Sequence, residues 1–359
     1  VRYKGEPIVA VAAVDEDTAQ EAVNLINVEI DEAEPIFDPL EAMKPDAPKV
    51  WPDGNMYKFV DKYFREVKVG DIEAGFKEAD YIVEGEYYHP SEEHAQMEPQ
   101  VSLAVPEANG RLTIYTVSQA ISLNLGQLAG ILYKKPTDKT KGGWRQNDGV
   151  GKIKFIGGTV GGAFGSKCNI HADHVTALLA LKTGRPVKWA WTREEEMLYS
   201  SHRGAWYITI KDGITKDGQI IARQVKSIRD AGAYSLANPL IINKHCFMAN
   251  GPYNIPNIYI QGYCVYTNKP PANAMRGFGV TAATFATEIQ MNKIAERLGK
   301  SPWELRFLNA VHKGDKTVTG KFLDSVYLIE TMQALAKKAG VAIPEHLMQM
   351  NSGPREETA

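Results

Sequence analysis

Cysteine is the scarcest residue of the 359, occurring only as Cys168, Cys246 and Cys264, with no CxxC pair. That count excludes a disulfide framework and an iron–sulfur centre held by this chain alone. Long apolar runs are also lacking: none approaches the roughly 18 residues that a membrane-spanning helix needs. Charge of one sign is lacking too, because 41 basic and 43 acidic residues leave a net charge of −2. A surface built to bind nucleic acid is therefore disfavoured. No GxSxG elbow occurs, and the histidines show no nucleophile pattern. The first residues, Val1-Arg2-Tyr3-Lys4-Gly5, show no signal-peptide pattern. What remains is ordinary for a globular enzyme: 44% apolar and 23% charged residues, on a chain long enough for two or more packed units. The expectation is a reduced, cytoplasmic enzyme.

The pattern along the chain reads as α+β, with mixed sheets, helices and glycine-rich loops. Pro7–Val14, a helix from Asp17 to about Ile26, and Val28–Asp31 suggest a small β-α-β unit. Five prolines between Pro35 and Pro52 mark a linker. Strands are expected at Tyr81–His89, Val101–Pro106, Leu112–Val117, Pro186–Thr192, Trp206–Ile214, Gln219–Asp230 and Ile258–Thr267. Helices are expected over His171–Lys182, Thr281–Leu298 and Asp324–Ala339, and Ser301-Pro302-Trp303-Glu304 reads as a capping box. The division this implies is a small α/β domain and linker over 1–55, a main body over 56–340 and a polar, poorly specified tail over 341–359.

Two loops carry the chemistry. Gly157–Lys167 holds five glycines in nine positions, so its backbone N–H groups can approach a ligand closely. The expected helix just beyond it would add a positive dipole end. A Walker A loop is excluded because Ser166 separates Gly165 from Lys167, and no register gives the glycine offsets of a dinucleotide fingerprint. The second loop, Asn268–Gly279, is stiffened by Pro270 and Pro271 and places Phe278 between Gly277 and Gly279. An aromatic there could stack on a planar substrate, and Arg276 offers a planar donor. Taken singly, the first loop is equally a structural turn, and Phe278 is more often a core residue than a site residue. Cys168, His171, Asp173 and His174 look at first like a zinc set, but they lack a paired fourth ligand. Glu194–Glu196 reads as a solvated face, and Trp189 and Trp191 as core.

Together, GGAFGSK, NAMRGFG about a hundred residues later, and SPWELRFLNAV resemble the xanthine oxidase family of molybdenum hydroxylases. The likeness runs from VRYKGEPIVAV through EEHAQMEPQVSLAVPEANGRLTIYTVSQA to the last helices. The resemblance implies a hammerhead-like small domain followed by the first molybdopterin-binding domain. It also implies a molybdenum held by a pterin dithiolene, expected in the cytosine dinucleotide form, with no metal ligand from the chain's own side chains. By motif, Gln119 falls where a glutamine donates to a metal oxo group. Gly162, Ala163, Phe164 and Gly165 fall where backbone meets the metal and pterin, Arg276 where an arginine helps hold the site, and Phe278 where an aromatic covers the substrate.

Departures from the family pattern narrow the expected substrate. Cys168 stands where purine hydroxylases carry a glutamate, which argues against xanthine. Gly277 stands where copper-containing carbon monoxide dehydrogenases carry a cysteine. Counting back from Ile255-Pro256-Asn257-Ile258 puts Lys244 near a substrate-facing arginine of the purine enzymes, so two readings of Lys244 stay open, one facing a substrate carboxylate or carbonyl and one as a solvated surface lysine. The family's catalytic glutamate has no counterpart in this chain. The resemblance implies that a second molybdopterin subunit supplies it, and that a 2Fe-2S subunit and an FAD subunit carry electrons away. Two expectations stay open, a fragment of a longer subunit or, the favoured one, one polypeptide of a divided subunit as in nicotinate dehydrogenase, with the first residues of its small domain absent. The enzyme would hydroxylate an electron-poor carbon of an N-heteroaromatic ring with water-derived oxygen. An aldehyde or purine oxidoreductase subunit, a non-catalytic assembly subunit and a stand-alone nucleotide-binding protein remain alternatives.

Overall fold

A row of β-branched residues and one glycine crosses five strands and fixes the main sheet. The computed structural model describes residues 1–133 and 149–354. Its first elements are α1 (Glu16–Asn24), α2 (Pro39–Ala42), β1 (Arg65–Val69), α3 (Ile72–Glu78), β2 (Tyr81–His89), β3 (Val101–Pro106), β4 (Leu112–Thr116) and α4 (Ile121–Tyr133). Then come β5 (Ile153–Gly157), α5 (Asp173–Thr183), β6 (Val187–Ala190), α6 (Arg193–Tyr199), β7 (Trp206–Ile214) and β8 (Ile220–Gly232). The last are α7 (Asn238–Met248), β9 (Asn257–Tyr266), α8 (Val280–Leu298), α9 (Pro302–Asn309), α10 (Leu328–Ala339) and α11 (Glu345–Gln349).

The larger sheet has the order β1-β9-β8-β7-β2, in which only β8 and β9 run parallel. Registration aligns Val67, Ile260, Val225, Ile210 and Gly85 across it. Successive side chains of a strand point to opposite faces, and this row points into a core closed by α7 and α8. Each aliphatic buried there contributes roughly 1.5–3 kcal/mol. Gly85 leaves room, since a Cβ would lie 2.5 Å from Gln290 Oε1 on α8. The smaller sheet, β5-β4-β3-β6, packs Ala104, Leu112, Ile114 and Ile153 against Leu128 and Ala129 of α4 and Ala177 and Ala180 of α5. One glycine-rich loop leaves the smaller sheet after β5, and the other leaves the larger sheet after β9.

Regularity begins later at the N-terminus than the sequence suggests. Of the expected β-α-β opening only the helix is a regular element; 7–14 and 28–31 join no ladder among the described residues. A strand exists only where a neighbour supplies hydrogen bonds, and Ile8, Val9, Val14, Val28 and Ile30 stay exposed instead. The capping box is half present: Ser301 Oγ accepts the Glu304 N–H, but the Glu304 carboxylate pairs with Lys300 at 2.6 Å. The segment expected to be a poorly specified tail has order up to residue 354. Leu347 of α11 is buried, and Ser352 donates twice to the Glu330 carboxylate, at 2.8 and 2.6 Å. Residues 355–359 lie outside the described residues. Among the described residues no helix is long and apolar enough to cross a membrane.

The larger sheet also buries an ion pair. Arg223 Nε and Nη2 donate to the two oxygens of Asp212 at 2.7 and 3.0 Å, with both side chains fully buried. Arg223 also reaches Asn250 O, and Gln290 donates to Asp212. Removing one partner of such a pair leaves a buried charge uncompensated. Asp212→Ala is therefore expected to lose about 3–5 kcal/mol in urea unfolding, whereas a surface pair such as Lys211–Glu84 is expected to lose under about 1 kcal/mol when broken.

Candidate functional site

The first loop owes its shape to residues in the left-handed region. Gly162, Phe164 and Gly165 have φ of 95°, 50° and 119°. Phe164 is the only one with a Cβ, and a non-glycine residue held there marks a site whose surroundings over-determine it. Those surroundings are polar. Lys167 is fully buried and places Nζ 2.7 Å from Glu98 Oε2, which also accepts the Gly161 N–H at 2.8 Å. Desolvation acts to raise the Glu98 pKa, but the Lys167 ammonium and the Gly161 amide outweigh it and hold the carboxyl below its ordinary value. The expected helix just beyond the loop is displaced. A short 3-10 turn covers Ser166–Cys168, and α5 begins only at Asp173, so its dipole end is not the end of the loop.

The second loop is held by its carbonyls. Arg229 Nη2 donates to Asn273 O at 3.0 Å, His94 Nε2 to Ala274 O at 2.7 Å and Arg203 Nη2 to Arg276 O at 3.0 Å. His245 Nδ1 lies 3.0 Å from Gly279 O, while its Nε2 lies 2.8 Å from Ser227 Oγ. Burial pulls the His245 pKa down to about 4, so the ring is neutral near pH 7. A neutral ring donates through Nδ1 to the carbonyl and accepts the serine hydroxyl at Nε2. With its carbonyls occupied on the inner side, the loop turns through Gly277, Phe278 and Gly279, all left-handed at φ of 100°, 54° and 93°.

The loops meet backbone to backbone. Arg276 N–H donates to Phe164 O at 2.8 Å. Gly165 lies so near the second loop that a Cβ would stand 2.3 Å from Ala274 O. Gln119 braces the junction, its Oε1 accepting the Gly165 N–H at 3.0 Å and its own N–H donating to Lys167 O at 3.2 Å. Along this seam runs a cleft of about 340 Å³ lined by Gln119, Phe164, Gly165 and Cys168 on one side and by residues 274–278 on the other. That volume lies within the range of small-ligand pockets.

The structure therefore brings together Gln119, Phe164, Gly165, Cys168, Arg276 and Phe278. Gly162 and Ala163 lie on the same loop, outside the cleft lining. Lys244, exposed on α7, stands beside the cleft with Nζ 5.9 Å from the centre of the Phe278 ring. Burial pushes the Cys168 thiol up, so it stays neutral. His171 is half-buried, its Nε2 3.3 Å from Ser166 O, and desolvation brings its pKa down to about 4. Among the described residues no group of three or more His, Cys, Asp or Glu is arranged to hold a metal ion. Sequence reasoning missed the supports His94, Glu98, Arg203, Arg229 and His245, whose roles depend on contacts between distant segments. A signal existed in the alternating polar residues of Glu92–Gln100.

The donor set fits an anionic, oxo-bearing group such as a pterin-held molybdenum. Phe164 N–H has no acceptor, and the Arg276 guanidinium no partner, among the described residues. Gln119 spends only its oxygen on Gly165, which leaves its amide nitrogen as a donor. Gly165 departs from the expectation that its N–H faces the metal, because Gln119 accepts it. The nearby acid, Glu98, is neutralised by Lys167. If the seam depends on a bare Gly165, then Gly165→Ala adds both a clash and strain at positive φ and is expected to lose roughly 2 kcal/mol or more in denaturant unfolding. Gly151→Ala, with nothing within 4 Å of the added Cβ, is expected to leave stability unchanged.

Comparison with known proteins gives the same reading. The pattern of the molybdopterin cofactor-binding domain matches residues 56–310. The chain is 35% identical over 340 residues to the nicotinate dehydrogenase large molybdopterin subunit of Eubacterium barkeri, covering 94% of this chain and 76% of that one. It is 30% identical to an Escherichia coli xanthine dehydrogenase molybdenum-binding subunit, covering 93% of this chain and 42% of the other. Among solved structures, the aldehyde oxidoreductase of Desulfovibrio gigas superposes with a TM-score of 0.83 at 27% identity, over 95% of this chain and 36% of that one. The chain thus spans three quarters of one relative and well under half of the other two. It belongs to the molybdopterin cofactor-binding domain family, the family of the molybdenum subunits of xanthine oxidase type.

Proposed function

We propose that this chain forms one wall of the active centre of a molybdenum hydroxylase that oxidises an electron-poor ring carbon of an anionic N-heteroaromatic substrate, such as nicotinate. The observation that carries this reading is the cleft itself, in which unengaged donors on Phe164, Gln119 and Arg276 face an aromatic platform at Phe278 with the Lys244 ammonium 5.9 Å from its ring. A planar heterocycle stacks on Phe278, and its carboxylate is paired by Lys244. The neutral Cys168 thiol leaves that wall without an acid that would repel an anion. The similarity to a protein named for nicotinate supports the same substrate class.

When bound, the molybdenum–pterin group, here taken as the cytosine dinucleotide form, supplies the two-electron oxidation. The chain's own residues orient and insulate. Gln119 Nε2 and Phe164 N–H donate toward the anionic face of the cofactor, Arg276 balances its charge, and the loop backbones of Gly162–Gly165 give it close approach. A second molybdopterin subunit supplies the glutamate base, and 2Fe-2S and FAD subunits take the electrons, since the three cysteines of this chain, two of them buried, hold no cluster. Three free thiols suit the reducing cytoplasm. The cofactor-binding body is taken to run over 56–340, after a small domain and linker at 1–55 and before the segment 341–359.

The intact complex is expected to contain roughly one molybdenum per chain, as single-site occupancy requires; a complex free of molybdenum and pterin contradicts the reading. Lys244→Met is expected to raise KM for a carboxylated heterocycle about tenfold, the loss of about 1.4 kcal/mol of binding, with kcat held. The KM of an uncharged analogue is expected to stay unchanged. Equal shifts for both substrates contradict the role of Lys244.

A further inference from the structure

The segment between β2 and β3 is neither strand nor helix, yet every second residue of it is engaged. Glu92 Oε2 pairs with Arg203 Nε at 3.0 Å, and Arg203 in turn holds Arg276 O and the Thr281 hydroxyl. His94 Nε2 meets Ala274 O at 2.7 Å; a carbonyl only accepts, so this nitrogen carries the proton. Gln96 donates to Glu196, a fully buried carboxylate whose other oxygen accepts the Gln100 N–H at 2.7 Å. Glu98 accepts from Lys167 and from Gly161, and Gln100 Nε2 donates to Ser166 Oγ at 3.2 Å. Of the intervening residues, Ala95 is exposed with φ of 49° and Met97 is 92% exposed, whereas Glu93 accepts the Ser200 hydroxyl at 2.9 Å and adds a further anchor.

We infer that Glu92–Gln100 is a positioning strap that fixes the gap between the two loops, with Glu92 and His94 gripping the second loop and Glu98 and Gln100 gripping the first. The two grips lie on one short segment that turns at Ala95, with φ of 49°, and bends at Met97 and Glu98, and that is anchored at its middle by Gln96 on Glu196. With its middle fixed, a covalent segment of nine residues limits how far its ends can part, so the spacing of its teeth constrains the separation of Phe164 from Phe278 and Arg276. His94 and Glu98 are thus positioning residues. They line no part of the cleft and act through the carbonyl of Ala274 and through Lys167. The strap rests on the cofactor reading only for its effect on turnover.

Hydrogen–deuterium exchange on the full chain in its purified complex, read on peptides covering 157–168 and 268–279, tests this without reference to molybdenum. Glu98→Gln keeps the shape and the acceptor for Gly161 but removes the charge facing Lys167; His94→Leu removes the donor to Ala274. Each variant is expected to speed exchange about fivefold or more in both loops, including the loop it does not touch, because opening one grip slackens the strap at the other. His94→Gln, whose Nε2 can reach the same carbonyl, is expected to restore exchange to within about twofold of the parent. The outward variant Met97→Ala is expected to match the parent. Loosening confined to the touched loop, or His94→Gln as loose as His94→Leu, overturns the strap, whatever the metal content of the complex. Should His94→Leu fail to fold, the isosteric Glu98→Gln and His94→Gln variants decide the question alone.

Discussion

The Arg276 N–H that donates to the Phe164 carbonyl at 2.8 Å is a single backbone hydrogen bond between two sheets. It forms only because Gly165 has no side chain to push Ala274 away. Once it forms, Phe164, Arg276 and Phe278 must share one opening, and the free donors of both loops face the same space. A hydrogen bond between partly exposed loops contributes little by itself, about 1 kcal/mol. Its geometry persists because each loop is immobilised by its own set of contacts, several of them made by the same segment, Glu92–Gln100.

The means of immobilisation differ between the loops. The first is fixed from below by the buried Lys167 ammonium paired with the partly exposed Glu98 carboxylate, which also ties down the Gly161 amide. The second is fixed through its carbonyls by two arginines and two histidines, one of them with a pKa that burial pulls well below the ordinary histidine range. Capturing carbonyls on the inner side has a chemical consequence, because it leaves backbone N–H groups and the Arg276 guanidinium to face outward. The proposed hold on an anionic group thus rests on where the acceptors are used up, without any cationic side chain having to be buried in the cleft. The sheets beneath supply stiffness. The row from Val67 to Gly85 closes the larger core against α7 and α8, and α8 starts directly after Gly279.

Much of this was legible in the sequence, and the exceptions have physical reasons. Strands such as Tyr81–His89 and Trp206–Ile214 stood out by β-branched and aromatic residues between turn signals. The two loops stood out because glycine clusters are uncommon and because both fall in order with SPWELRFLNAV, which is what carried the resemblance. α7 was not seen: Ile241, Ile242, His245 and Cys246 are buried while Leu240, Phe247 and Met248 are exposed apolar residues, so no polar face marks the helix. Residues 7–14 read as strand by composition, yet composition cannot supply the neighbour that a ladder needs. Of the site, the residues that line the cleft lay within recognisable motifs, whereas Arg203, His94 and His245 act across long separations in sequence. The displaced start of α5 shows the same limit, since Gly165 to Ser166 turns the chain into a 3-10 turn before the helix can begin.

Anomalous diffraction at the molybdenum absorption edge, from crystals of the intact complex, tests the account most directly. The account predicts one strong peak in the seam between the loops, beside Gln119, Phe164 and Arg276 and within reach of Phe278. A peak elsewhere on the chain, or an empty seam in a complex that contains molybdenum, would contradict it.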